Sequence, residues 1–124
     1  MKRTVHAAIL AAATLAAAPS AHAQIASIFK GTPAERFNQE DNRRLVEAVK
    51  TALDEGRENQ PVGWINPQTN HRGDATVTKT FESKGRACKD VRLRNEAGGR
   101  AGESNLTACQ VDGQWRLVGS SQLD

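Results

Sequence analysis

Apolar residues follow three successive patterns along the chain. Residues 7 to 18 are an almost unbroken apolar run, rich in alanine and leucine. From Asn38 onward, Leu45, Val46, Val49, Ala52 and Leu53 recur at the three-to-four spacing of one stripe on an amphipathic helix. After Gln60 the chain breaks into short runs bounded by turn residues: Pro61 to Ile65, Ala75 to Phe81, Ala87 to Asn95, Ser104 to Val111 and Gln114 to Val118. These predict five strands.

The helix carries its own end signals. Asn38 is a capping residue, and Gln39, Glu40 and Asp41 fill a first turn where negative charge suits the helix dipole. Gly56 stands where a left-handed residue closes a helix. Thr32-Pro33 is a second possible entry. Arg43, Arg44, Glu47, Asp54 and Glu55, together with the Glu40-Asp41 carboxylate pair, are expected on the solvated side.

Turn chemistry predicts a register for the strands. With Gly98-Gly99 at the tip of a two-residue hairpin, Cys88 faces Cys109, Arg94 faces Glu103 and Val91 faces Leu106. With Asp112-Gly113 at the next tip, Ala108 faces Leu117 and Gln110 faces Trp115. A three-residue loop, Ser83-Lys84-Gly85, pairs Val77 with Val91. All three turns then put Val77, Val91, Leu93, Leu106, Ala108, Trp115 and Leu117 on one face, which the helix stripe covers. The fold class expected is α+β: one long N-terminal helix packed on an antiparallel meander of four to five strands, with one disulfide.

The first apolar run changes this picture only at its margin. Lys2 and Arg3 precede it, Pro19 breaks it, and Ala21-His22-Ala23 forms a small-x-small site, the pattern of a secretory signal peptide. The expected organisation is a signal peptide over 1–23, a lead segment over 24–36 and one domain over 37–124. Gln24 rather than cysteine follows the cleavage site, so a free exported product is expected, with no transmembrane segment left after cleavage. Export also makes a disulfide the natural state of Cys88 and Cys109, the chain's two cysteines.

Charge is nearly balanced once the signal is removed. The formal net charge of +3 owes two of its positive charges to Lys2 and Arg3. No general attraction to nucleic acid follows. The distribution is uneven, however: Lys79, Lys84, Arg86, Lys89, Arg92, Arg94 and Arg100 crowd a stretch opposed by Glu82, Asp90 and Glu96.

The block Gln60-Pro61-Val62-Gly63-Trp64-Ile65-Asn66-Pro67-Gln68-Thr69-Asn70-His71-Arg72-Gly73 adds a resemblance. With Gly85-Arg86-Ala87-Cys88-Lys89, Thr107-Ala108-Cys109 and Asp112-Gly113-Gln114-Trp115-Arg116-Leu117-Val118, it resembles the C-terminal domain of the seventeen-kilodalton surface antigen family of Gram-negative envelopes. The resemblance runs from about Phe37 to Val118. It implies a cell-envelope location and brings no catalytic residues with it. Members typically carry a lipidated cysteine and a glycine-zipper segment; this chain has Gln24 at the first position and no glycine-repeat stretch. The periplasm is therefore the expected location, with outer-membrane or surface association as the other option.

Candidate chemistry is sparse. His71 is the one histidine beyond the signal and reads as an ordinary loop residue; no serine motif or metal-ligand cluster accompanies it. No enzyme activity, cofactor or metal is expected. Lys89, Arg92 and Arg94, with Thr76, Thr78 and Thr80 beside them, form a possible anion-binding sheet face for an envelope protein or an anionic envelope polymer. The alternative is a small periplasmic enzyme inhibitor presenting the Asn66 to Gly73 loop, with Trp64, Asn66, Asn70, His71 and Arg72 as its contacts. Trp64 and Trp115 otherwise read as packing residues.

Overall fold

A computed structural model describes residues 28–118. The signal peptide expected over 1–23, the junction at Gln24 and the last six residues lie outside the described residues. Within them the chain forms a short 3₁₀ turn (Pro33–Arg36), helix α1 (Gln39–Glu55) and strands β1 (Val62–Ile65), β2 (Arg72–Ser83), β3 (Arg86–Ala97), β4 (Arg100–Val111) and β5 (Gln114–Val118). The strands form one antiparallel sheet in sequence order. The α+β reading holds.

Helix α1 starts where its cap signal stands. Asn38 accepts a hydrogen bond from the Asp41 backbone N–H at 2.8 Å, and the Asp41 carboxylate accepts from the Asn38 backbone N–H at 2.9 Å, a reciprocal capping box. Thr32-Pro33 does not begin this helix; it opens the separate 3₁₀ turn. At the other end Gly56 has φ −68°, so it is not left-handed. Glycine is needed there for space instead, since a Cβ would run into the Ala52 carbonyl.

The buried arc of α1 is Asp41, Leu45, Ala48, Val49, Ala52 and Leu53, while Val46 is only half-buried. The arc packs on β1 and β2, and the 3₁₀ turn packs on β3 and β4. Phe29, Ala34 and Phe37 join the same core, so the lead segment contributes packing from Phe29 onward. Gly102 makes this possible: Pro33 lies so close that a side chain at 102 would meet its ring at 2.6 Å.

The registers around Gly98-Gly99 and Asp112-Gly113 are as the turns predict. Cys88 faces Cys109, Val91 faces Leu106, Arg94 faces Glu103, Ala108 faces Leu117 and Gln110 faces Trp115. Cys88 and Cys109 form the disulfide, with Cα atoms 4.0 Å apart. Around Gly98-Gly99 the strands run past their predicted ends, while at Asp112-Gly113 they end where predicted; both tips are tight two-residue turns with positive φ at both positions, 59° and 75° at Gly98 and Gly99, 52° and 75° at Asp112 and Gly113.

The β2–β3 connection differs in an instructive way. Its loop is not three residues. Ser83 pairs with Arg86 around Lys84-Gly85, at φ 52° and 74°, another two-residue tip. Taken alone, that shortening slips the register by one. A β-bulge between Val77 and Lys79 restores it, so Val77 still faces Val91. Between bulge and tip the side chains exchange faces. Thr80, opposite Lys89, turns to the helix side, while Lys79 and Phe81 turn to the other, Phe81 opposite Cys88. Thr76 remains opposite Arg92, so only part of the expected threonine row lies on that face.

Candidate functional site

Two polar clusters stand out. The first surrounds Asp41, whose residue is 0% exposed rather than part of a solvated carboxylate pair. It lies four residues before Leu45, on the apolar stripe itself. Its carboxylate accepts four hydrogen bonds, two on each oxygen. Oδ1 takes Asn66 Nδ2 at 2.8 Å and Thr69 Oγ1 at 2.7 Å; Oδ2 takes the Asn38 N–H at 2.9 Å and His71 Nδ1 at 2.8 Å. Burial pushes this carboxyl up, but the donors from Asn38, Thr69, His71 and Asn66 outweigh it and hold the group below its usual range.

This cluster shapes the loop between β1 and β2. Asn66 N–H donates to the His71 carbonyl, Asn70 N–H to the Asn66 carbonyl, and Asn70 takes φ 59°. The loop therefore closes at His71, and Gly73 belongs to β2. Glycine is required at 73 by packing: a Cβ would meet the Arg94 carbonyl and Asn95 Oδ1 at 2.5 Å and Trp64 Nε1 at 2.9 Å.

The residues expected to form a plug thus part company. Trp64 is buried with its ring edge-on to Phe37 at 5.1 Å, and Asn66 is buried at 1% exposure. His71, also against Phe37 at 5.6 Å, is held by Asp41 and is more than an ordinary loop residue. Asn70 is exposed, and Arg72 sits in β2 beside Glu96 at 3.5 Å. The Asp41–His71 pair anchors the loop to the capped end of α1.

The second cluster occupies the sheet face opposite the helix. The registers place Arg72, Lys79, Arg86, Arg92, Arg94 and Arg116 there with Asp74, Asp90, Glu96 and Glu103, leaving two positive charges in excess. Its contacts are looser. Arg92 Nε stands 3.8 Å from Glu103 Oε1, and Arg94 faces Asp74 on one side and Glu103 on the other. Asp90 accepts from Thr107 Oγ1 at 2.6 Å. Towards the far end Phe81 and the disulfide share the face, with Lys79 Nζ 5.2 Å from the Phe81 ring centre.

Lys89 does not belong to this face. It alternates with Cys88 and Asp90 and so points to the helix side, where Nζ donates to the Leu53 carbonyl at 2.9 Å and lies 5.4 Å from the Trp115 ring centre. A cation there meets the carbonyl end of α1. Trp115 Nε1 donates to Asp54 at 3.1 Å, tying β5 to the same helix end.

A groove of about 540 Å³ runs along the open face beside β1, lined by Gly63, Ile65, Arg72, Asp74, Arg94 and Ala101 among others. Gly63 and Ala101 leave its floor low, and Ile65 is the one large apolar residue exposed among the described residues, at 47%. Among the described residues no group of His, Cys, Asp and Glu could hold a metal ion, and no helix is long and apolar enough to cross a membrane.

Comparison with known proteins adds a family. The chain matches no curated protein and no solved structure. A family model, described as 17 kDa outer membrane surface antigen, matches residues 51–116, just over half of the chain. The match takes in the sheet as far as Arg116, the disulfide, the β1–β2 loop and Arg92 and Arg94 of the open face, but begins ten residues after Asp41. The chain belongs to the 17 kDa outer membrane surface antigen family.

Proposed function

We propose that this protein is a non-enzymatic envelope protein that works by contact, binding an anionic envelope polymer through the uncovered face of its sheet. The family supports an envelope-associated protein and is not typically enzymatic. The observation that carries the finer reading is the contrast between the two sheet faces. The helix and the 3₁₀ turn bury one, whereas the other presents an excess of basic side chains held only by long or exposed ion pairs. Such pairs contribute little to stability, so the fold does not depend on them. Arg92 and Arg94 lie at the centre of this face.

The test is binding of lipopolysaccharide vesicles to the exported protein and to Arg92→Glu/Arg94→Glu at low salt, where exposed charge contacts are strongest. The reading expects the double variant to lose most binding with its melting temperature nearly unchanged. Equal binding by both proteins rejects the face.

An inhibitor reading is favoured by one observation, the rigidity that Asp41 imposes on the loop. With Trp64 and Asn66 buried, the contact surface shrinks to Pro67, Gln68 and Asn70. Capture of a periplasmic enzyme that is lost on Gln68→Ala/Asn70→Ala, with the double arginine variant unaffected, would transfer the function to the loop.

A further inference from the structure

We infer that the open face holds a seat for one phosphate group, built from Thr76 and Arg92 on facing positions of β2 and β3 with Arg94 as third donor; this rests on the reading of that face as anion-binding. Thr76 is 1% exposed, and its Oγ1 has no hydrogen-bond partner. Arg92 Nε is likewise buried and without one. Unpartnered buried donors cost free energy, and two on neighbouring strands share a remedy: an acceptor placed between them.

No acceptor of the protein fills this role. Glu103 approaches Arg92 Nε only to 3.8 Å, an ion-pair distance outside hydrogen-bond range. Its own cross-strand partner is Arg94. Glu103 therefore balances charge without satisfying the Nε–H, and it is the internal competitor that an incoming anion must displace. Arg94, two residues along β3 on the same face, also lines the 540 Å³ groove, whereas Thr76 and Arg92 lie outside it.

Geometry selects among anions. Hydroxyl, Nε–H and the Arg94 guanidinium approach from two strands and three positions. A tetrahedral phosphate offers each a separate oxygen, whereas a carboxylate offers two oxygens in one plane. Guanidinium forks suit phosphate oxygens well. The chemistry points to a phosphate group carried by an envelope polymer.

The experiment follows the Arg92 Nε–Hε resonance of the exported protein, and in every variant the backbone amide resonances of residues 76, 92 and 94, during titration with inorganic phosphate, and with acetate at matched ionic strength. The seat expects a saturable shift with phosphate and at least a fivefold weaker response to acetate. Thr76→Val and Arg92→Lys, the second keeping the charge but removing Nε–H, should each weaken phosphate binding about tenfold, and Glu103→Gln should strengthen it at least threefold. The same order should appear with lipopolysaccharide vesicles and vanish once their phosphate groups are removed. Phosphate binding unchanged in Arg92→Lys, a substitution at a half-exposed position, overturns the seat even if Thr76→Val fails to fold. If Arg92→Glu/Arg94→Glu abolishes vesicle binding while Arg92→Lys and Glu103→Gln behave as wild type, the face stands and the seat falls. If the double variant binds normally, both fall.

Discussion

Asp41 and Arg92 are charged side chains on opposite sides of one sheet, and their surroundings differ in a way that separates structure from function. Asp41 is buried and saturated: two donors reach each carboxylate oxygen, from the helix cap and from a loop up to thirty residues away. Arg92 is half-buried, its Nε unpartnered and its nearest carboxylate too far for a hydrogen bond. A saturated network has nothing left to offer a ligand, and losing any member exposes the cost of the rest. An unsaturated one is poorly suited to holding a fold and well suited to meeting a partner.

The contrast can be broken most forcefully at Asp41. Asp41→Ala leaves four donors without their acceptor and should cost about 4 kcal/mol of unfolding free energy, measured by urea denaturation. Its pH dependence follows from the same bonds. The folded carboxyl titrates below its unfolded value, so its stabilisation is complete above the unfolded pKa of about 4 and is lost as pH falls through the lower folded value. The urea midpoint of the wild type should fall between pH 5 and pH 2, and Asp41→Asn should flatten that limb. An unchanged slope would remove Asp41 from the centre of the network.

The disulfide comes next. Cys88 and Cys109 are 21 residues apart, and chain entropy for such a loop suggests roughly 3 kcal/mol. Cys88→Ser/Cys109→Ser should lower the unfolding free energy from urea denaturation by that amount while far-ultraviolet circular dichroism still reports the sheet. Non-reducing peptide mapping should recover the Cys88–Cys109 bridge.

Gly73→Ala sharpens the comparison from between the two faces. The added methyl meets the Arg94 carbonyl and Asn95 Oδ1 of β3 and Trp64 Nε1 of β1, and overpacking of this kind costs about 2 kcal/mol. The smallest effect on stability belongs to the open face. Arg92→Glu/Arg94→Glu should change unfolding free energy by less than about 0.5 kcal/mol while changing vesicle binding most. A large loss of stability there would make the face structural and erase the contrast.

Much of the fold was legible because the signals are local. Gly98-Gly99 and Asp112-Gly113 allow positive φ at both tip positions, and period-two patterning then sets which side chains face one another. The site was less legible. The phase of the helix stripe carries Asp41 inward with Leu45, and the polar residues Asn66, Thr69 and His71 need an acceptor; together these could have marked the buried carboxylate. The same alternation that places Arg92 and Arg94 on the open face sends Lys89 to the other, so its exclusion was available from the register.

By itself the sequence determined the helix with its Asn38 cap, the order of the strands, two hairpin registers and the cysteine pairing, since each depends on residues close in the chain or on a turn between them. Only the tertiary structure decided where distant groups meet. The bulge between Val77 and Lys79 compensates a turn several residues away, and no motif at either place announces the other. Lys89 reaches the end of α1 across 36 residues. Asp41 gathers its loop because the helix lies on β1 and β2, and that same placement leaves the opposite face of the sheet uncovered. Turn chemistry acts through the backbone of neighbouring residues; burial and charge pairing act through space, and space is allotted only when the helix settles on one side of the sheet.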